Sequence, residues 1–180
     1  MRRKEKEIRD RTLMEETLRL CAVGTLGTIG SDGYPRVKPL NFAYREGSLY
    51  FHTAREGEKM EDIRRDDRVC FNAYLPIAYV KAKTEPCEAN YLFRSVTIKG
   101  RARSVEDPDE KRLALDLLME KHQPEGGLGD YPSAKLEVVG VVRIDVEEMT
   151  GKESLGDGSL REAALKALAG GPPLPIVLER

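Results

Sequence analysis

Tyr50-Phe51-His52-Thr53-Ala54-Arg55-Glu56-Gly57-Glu58-Lys59 reads as a strand that stops at a polar turn and hands over to a helix. The strand half alternates and is aromatic. The turn carries the Thr53 hydroxyl and a flexible Gly57, and Lys59 brings a cation to the first helical turn. A strand-to-helix junction presents free backbone N–H groups and the positive end of a helix dipole, which together make a seat for a phosphate. Ordinary helix starts share these features and most bind nothing, so the meaning of the run depends on its neighbours.

Toward the N-terminus, Gly30-Ser31-Asp32-Gly33 is a strong turn between two extended stretches, residues 22–29 and 34–44. The first is small, β-branched and glycine-spaced, as a strand at a crowded position would be. The second is interrupted by Pro39, which implies an edge, a bulge or a ligand-facing stretch. Thr12 and Glu15 have capping-box spacing, so a helix is expected over residues 12–20, with Leu13, Thr17, Leu20 and Cys21 on one face. Toward the C-terminus, residues 59–66 predict a short helix with Met60 and Ile63 inward, and residues 68–73 a strand. Residues 74–90, with Pro76 and Pro86, read as a surface excursion. Residues 91–105 predict a long strand with a bend or bulge at Gly100. Asp107-Pro108-Asp109-Glu110 carries nearly every helix-start signal, and Leu113, Leu117 and Lys121 continue its stripe beside Ala114 and Leu118. Residues 123–133 form a loop and residues 138–146 a last strand. A short alanine-rich helix follows over residues 159–169, and an extended tail starts at residues 170–175. Six strands joined mostly by hairpins, with helices at their ends, favour a closed or split antiparallel barrel over a parallel sheet.

A chain of 180 residues is most simply one domain with a substantial core. Thirty basic against thirty-one acidic side chains give a net charge of −1, which removes any global electrostatic reason to expect nucleic acid or an anionic membrane as partner. The basic N-terminus is interleaved with Glu5, Glu7 and Asp10 and lacks the apolar core of a signal peptide. A reducing cytoplasm is therefore the expected compartment. Cys21 and Cys70 lie in apolar surroundings and are expected as buried thiols; none of the three cysteines forms a CxxC.

His52 has no metal-ligand spacing around it, and His122 ends a distant helix, so no metal site is expected. Gly24, Gly27 and Gly30 do not form GxGxxG and read as strand packing. No Walker loop, GxSxG elbow or catalytic-triad spacing is present. Residues 36–41 (Arg36, Val37, Lys38, Pro39, Leu40 and Asn41) admit two readings. They suit an edge strand whose charges prevent aggregation, or a strand that lays its backbone against a flat polar ligand.

The order of these pieces is a turn at Asp32-Gly33, Pro35-Arg36-Val37-Lys38-Pro39-Leu40-Asn41-Phe42, a hairpin, Leu49-Tyr50-Phe51-His52-Thr53-Ala54, and Gly57-Glu58-Lys59. Tyr91-Leu92-Phe93-Arg94-Ser95-Val96 with Gly100 comes later. This order resembles the FMN-binding split-barrel superfamily of pyridoxamine-phosphate-oxidase-like proteins and, within it, the nitroimidazole-resistance (Nim-type) branch. The match spans residues 5–150. The resemblance implies a mainly β, α+β fold: a six-stranded antiparallel split β-barrel with flanking helices. It implies an FMN-binding domain over residues 1–150 and an appended helix and tail over residues 151–180. It also implies a homodimer with its sites at the subunit interface.

Carried onto this chain, Lys59 and Thr53 would hold the FMN phosphate. The backbone of Arg36, Val37, Lys38, Pro39, Leu40 and Asn41 would run along the isoalloxazine edge, and His52 would sit beside the flavin as the catalytic candidate. Arg94, Ser95 and Val96 would reach in from the partner chain. Lys38 would stabilise the anionic reduced ring. The chain departs from the true oxidases at Glu58, where they carry an arginine, and in lacking their C-terminal arginine–histidine substrate motif, which disfavours vitamin B6 oxidation. The expected activity is an FMN-dependent oxidoreductase passing electrons from a nicotinamide or similar reductant to a small nitro-aromatic or quinone acceptor. The alternatives are a flavin-binding module without turnover (a sensor, carrier or store) and a haem-binding relative of the same fold.

Overall fold

The computed structural model describes residues 3–170 and 176–178. In chain order it contains β1 (Glu7–Ile8), α1 (Arg11–Leu20), β2 (Val23–Ile29), β3 (Pro35–Asn41), β4 (Ala43–Arg45), β5 (Ser48–Ala54) and α2 (Glu58–Arg65). There follow β6 (Arg68–Val80), β7 (Asn90–Ser104), α3 (Pro108–His122), α4 (Ser133–Val138), β8 (Val139–Ser154), α5 (Gly158–Ala169) and β9 (Ile176–Leu178). Strands pair in the order β3-β2-β6-β7-β8-β5-β4, with β1 on β8 and β9 on β6. The β2–β3, β4–β5, β5–β8 and β1–β8 pairs are antiparallel, and the short β9 runs parallel to β6. This is the α+β split-barrel architecture, with nine described strands in place of six. The additional ones are β1, β4 and β9, each of two or three residues. No helix among the described residues is long and apolar enough to cross a membrane.

The chain divides into two compact units: residues 1–21, 73–97 and 150–180 in one, residues 22–72 and 98–149 in the other. In the first unit Asp10 caps α1 by accepting from the Thr12 N–H at 2.9 Å, two positions before the capping box read from the sequence. Its buried stripe is Met14, Thr17 and Leu18, continued by Cys21. Glu7 and Ile8 pair with Lys152 and Gly151. A Cβ at Gly151 would lie 2.7 Å from Met14 Cγ, so the glycine admits α1 against the sheet. The expected extended start over residues 170–175 falls, apart from Gly170, outside the described residues.

The second unit closes over Phe42, Leu49, Phe51, Phe71, Ile98 and Ile144, all fully buried. Phe42 and Phe71 meet edge to face with centroids 4.8 Å apart. A Cβ at Gly24 would fall 2.0 Å from Phe71 Cζ, and one at Gly100 would fall 2.2 Å from the Asp145 carbonyl oxygen. Both glycines are therefore fixed by close approach inside the sheet. Asp107 caps α3 by accepting from the Glu110 N–H at 2.8 Å, with Pro108 in the first turn. The α3 stripe turns Ala114 and Leu118 inward, while Leu113 stays exposed. Ala114 joins Tyr50, Val105 and Val141 in one cluster.

Three expectations are corrected. Residues 74–80 are not a surface excursion: β6 continues to Val80, because Val69, Phe71, Ala73, Leu75 and Ile77 keep a period of two through Pro76 and are all buried. The break between β3 and β4 falls at the buried Phe42, not at Pro39. Cys70 is exposed, since it stands on the opposite face of β6 from Val69 and Phe71; Cys21 is buried as expected.

Candidate functional site

The β2–β3 hairpin places Arg36 opposite Thr28 and Lys38 opposite Leu26. Its turn is closed by Gly30 N–H donating to Tyr34 O at 2.7 Å and by Gly33 N–H donating to Gly30 O at 2.9 Å. On β3, Arg36, Lys38 and Leu40 share a half-buried face, while Val37, Pro39 and Asn41 alternate onto the exposed one. β3 ends the pairing order, which makes it an edge strand as Pro39 implied.

Helix α2 is clamped to this hairpin by Asp62, whose side chain is only 1% exposed. Its carboxylate accepts from Thr28 Oγ1 at 2.9 Å, from Arg36 at 3.2 Å and from Arg65 at 3.0 Å. Burial alone would raise the Asp62 carboxyl. The hydrogen bonds from Arg65 and Thr28, with the charges of Arg36 and Arg65, overcome that and hold it below the usual carboxylate range. Arg65 is fixed further by donating to Ile29 O.

One turn before Asp62, on the same helical face, stands Glu58. Its two oxygens bridge the cations of β3: Oε1 lies 3.1 Å from Arg36 Nη1, and Oε2 accepts from Lys38 Nζ. Gly57, at φ +109°, turns the chain into α2 just before it. Lys59 follows, with Nζ 5.0 Å from the centroid of the Phe51 ring. Burial and then the charge of Lys38 lower its pKa. Thr53 is half-buried and His52 exposed at the end of β5, paired with Gly140 and Val141 of β8. Within this unit the structure therefore brings Arg36, Lys38 and Lys59 to one strand–helix junction, with Glu58 among them.

Arg94, Ser95 and Val96 belong to the other unit. Arg94 is 5% exposed and Val96 fully buried. The Arg94 guanidinium donates to Glu153 at 3.2 Å, and Arg161 of α5 holds the other Glu153 oxygen at 3.1 Å. The Arg94 side chain is thus engaged within its own unit. Ser95 stands on the opposite, half-buried face of β7.

Two residues that sequence reasoning did not nominate belong to this neighbourhood. Asp62 was hidden inside a short amphipathic helix, between Met60 and Ile63. His122 was read as ending a distant helix, but α3 packs on β4 and β5 and delivers it to the β3–β4 junction. There its Nε2 lies 3.4 Å from Phe42 O. Burial, followed by the charges of Lys121 and His52, lowers its pKa against the opposing effect of the Phe42 carbonyl. Nothing local in the sequence signals that pairing. A cleft of about 320 Å³, with Arg55, Met60, Arg64 and Lys111 among its walls, is lined by none of the nominated residues.

Residues 10–153 match the family model described as pyridoxamine 5′-phosphate oxidase. The chain is similar to a candidate 5-nitroimidazole antibiotic resistance protein from Bacteroides thetaiotaomicron, with 29% identity and a TM-score of 0.71, over 82% of this chain and 86% of that one. It shares its fold with the flavocytochrome Anf3 of Azotobacter vinelandii, with 21% identity and a TM-score of 0.75, over 91% and 77% of the two chains. The same holds for an FAD and haem binding protein of Mycobacterium smegmatis, with 19% identity and a TM-score of 0.75, over 92% and 80%. No curated protein matches.

Proposed function

The chain belongs to the pyridoxamine 5′-phosphate oxidase family, and from that premise we propose that it is an FMN-dependent oxidoreductase. The observation that carries the proposal is the convergence of Arg36, Lys38 and Lys59 on one strand–helix junction. Burial and, after it, repulsion from the Lys38 ammonium lower the Lys59 pKa. An anion shared between them relieves that repulsion. The donor set fits a phosphate flanked by a half-buried hydroxyl at Thr53 and, on β3, by an edge strand available to a planar ring.

A bound flavin supplies the hydride- and electron-transfer chemistry of such a protein. The chain's own residues bind and orient. Lys59 and Thr53 hold the phosphate, and β3 from Arg36 to Asn41 runs beside the ring. The Lys38 ammonium, paired with Glu58 beside Lys59, would serve the phosphate and not the pyrimidine edge of the ring. The exposed His52 offers a hydrogen bond to a small nitro-aromatic or quinone acceptor. The Bacteroides relative, described by its link to nitroimidazole resistance, supports that acceptor class.

The proposed assembly is a homodimer in which Ser95 serves the partner's site.

Absorbance of the purified protein tests this reading. A flavin spectrum bleached by NADH or NADPH is the expected result. Flavin that ignores every reductant would make the chain a binding module. A haem spectrum would make it a haem-binding relative, and a colourless protein that FMN does not reconstitute would overturn the flavin readings. Lys59→Ala is expected to weaken FMN binding about tenfold or more, from the loss of one charge-assisted contact; unchanged retention would remove Lys59 from the phosphate site.

A further inference from the structure

We infer that Glu58 sets the specificity of this seat by charge, disfavouring a terminal phosphate dianion relative to a singly charged phosphodiester. The inference rests on the flavin reading and adds which phosphate chemistry the site prefers. The linked side chains are Arg36, Lys38, Lys59 and Arg65 on one side and Asp32, Glu58 and Asp62 on the other. Four cations against three carboxylates leave one net positive charge. A phosphodiester neutralises that charge, whereas a phosphomonoester carrying up to two charges near neutral pH overshoots it.

Glu58 is the carboxylate able to act on the ligand. Asp62 is sealed under the hairpin at 1% exposure, and Asp32 reaches Arg36 only at 3.9 Å. Glu58, directly before Lys59 in the chain, is 47% exposed and bridges the two β3 cations, Arg36 and Lys38. An incoming phosphate must either displace that bridge or accept a carboxylate beside it. Repulsion grows in proportion to the charge on the ligand. On a logarithmic scale, Glu58 therefore costs a dianion about twice what it costs a monoanion.

The test is a fluorescence-quenching titration of the native chain and of Glu58→Gln with riboflavin, FMN and the monomethyl ester of FMN, a monoanionic phosphodiester, at low ionic strength, where screening is weakest. Expected is a gain of about tenfold in FMN affinity, about threefold for the monomethyl ester and none for riboflavin. Glu61→Gln changes the same net charge on an exposed residue of α2 and should leave the ratio of FMN to monomethyl-ester affinity unmoved. Equal gains for the three flavins, or no gain for FMN, would overturn the charge assignment while leaving the flavin reading intact. Failure of both proteins to bind any flavin would overturn the flavin reading, and this inference with it.

Discussion

Asp62 joins three side chains, those of Thr28, Arg36 and Arg65, with one carboxylate, and its environment sets the largest single-residue effects expected in this unit. Asp62→Asn leaves Arg36 and Arg65 facing a neutral amide and is expected to cost about 3 kcal/mol, read from the urea midpoint at neutral pH. The sign of its pH dependence follows from the depressed carboxyl. Its contribution is fully present above the unfolded value of about 3.9 and is lost as pH falls through the folded value. Native protein should therefore lose stability below about pH 4 that Asp62→Asn has already lost at every pH. Glu110 obeys the same sign. The Arg143 hydrogen bond, against the opposing effect of burial, holds it below the usual carboxylate range while it also accepts from Tyr50 and Arg103. Neither network was legible in the sequence. Glu110 was read as a helix-start residue, and its side chain does more than that, reaching across to β5, β7 and β8.

Elements were the most legible level, and both misplaced strand boundaries fall beside a proline. Period-two alternation, Asp107-Pro108 capping and the Gly30–Gly33 turn are local signals, and the structure follows them. Pro76 and the mixed polarity around it resemble a surface excursion, yet β6 continues to Val80 because its alternate residues stay buried. The close glycines make the sharpest test at this scale. Gly100→Ala would drive a Cβ to 2.2 Å from a backbone oxygen, which cannot swing aside as a flexible side-chain tip can. It is expected to cost about 2–3 kcal/mol and to lower the thermal midpoint accordingly. At the surface of α3, Asp107→Ala removes only the cap and should cost about 1 kcal/mol.

For the whole molecule, the dimer reading predicts that flavin binding and self-association rise together with protein concentration. Sedimentation with FMN titration checks this; a monomer binding FMN stoichiometrically would exclude a role for Ser95 in the partner's site. Removing residues 158–180 takes away α5 and the Arg161 contact to Glu153. The shortened chain is expected to unfold at lower urea, because the buried Arg94–Glu153 pair loses one of its anchors. The sequence by itself determined the six main strands in outline, the capped α3, the edge character of β3 and the Lys59 cation at a strand–helix junction, because each is written in residues within a few positions of one another. Tertiary structure alone decided that Arg36 and Lys38 join Lys59 with Glu58 among them, that Arg94 is held by Glu153, that His122 meets the β3–β4 junction and that Asp62 is sealed. Those outcomes depend on strand register and helix docking, which bring together polar groups separated by 20 to 80 positions, and no local pattern records which partner a side chain will find.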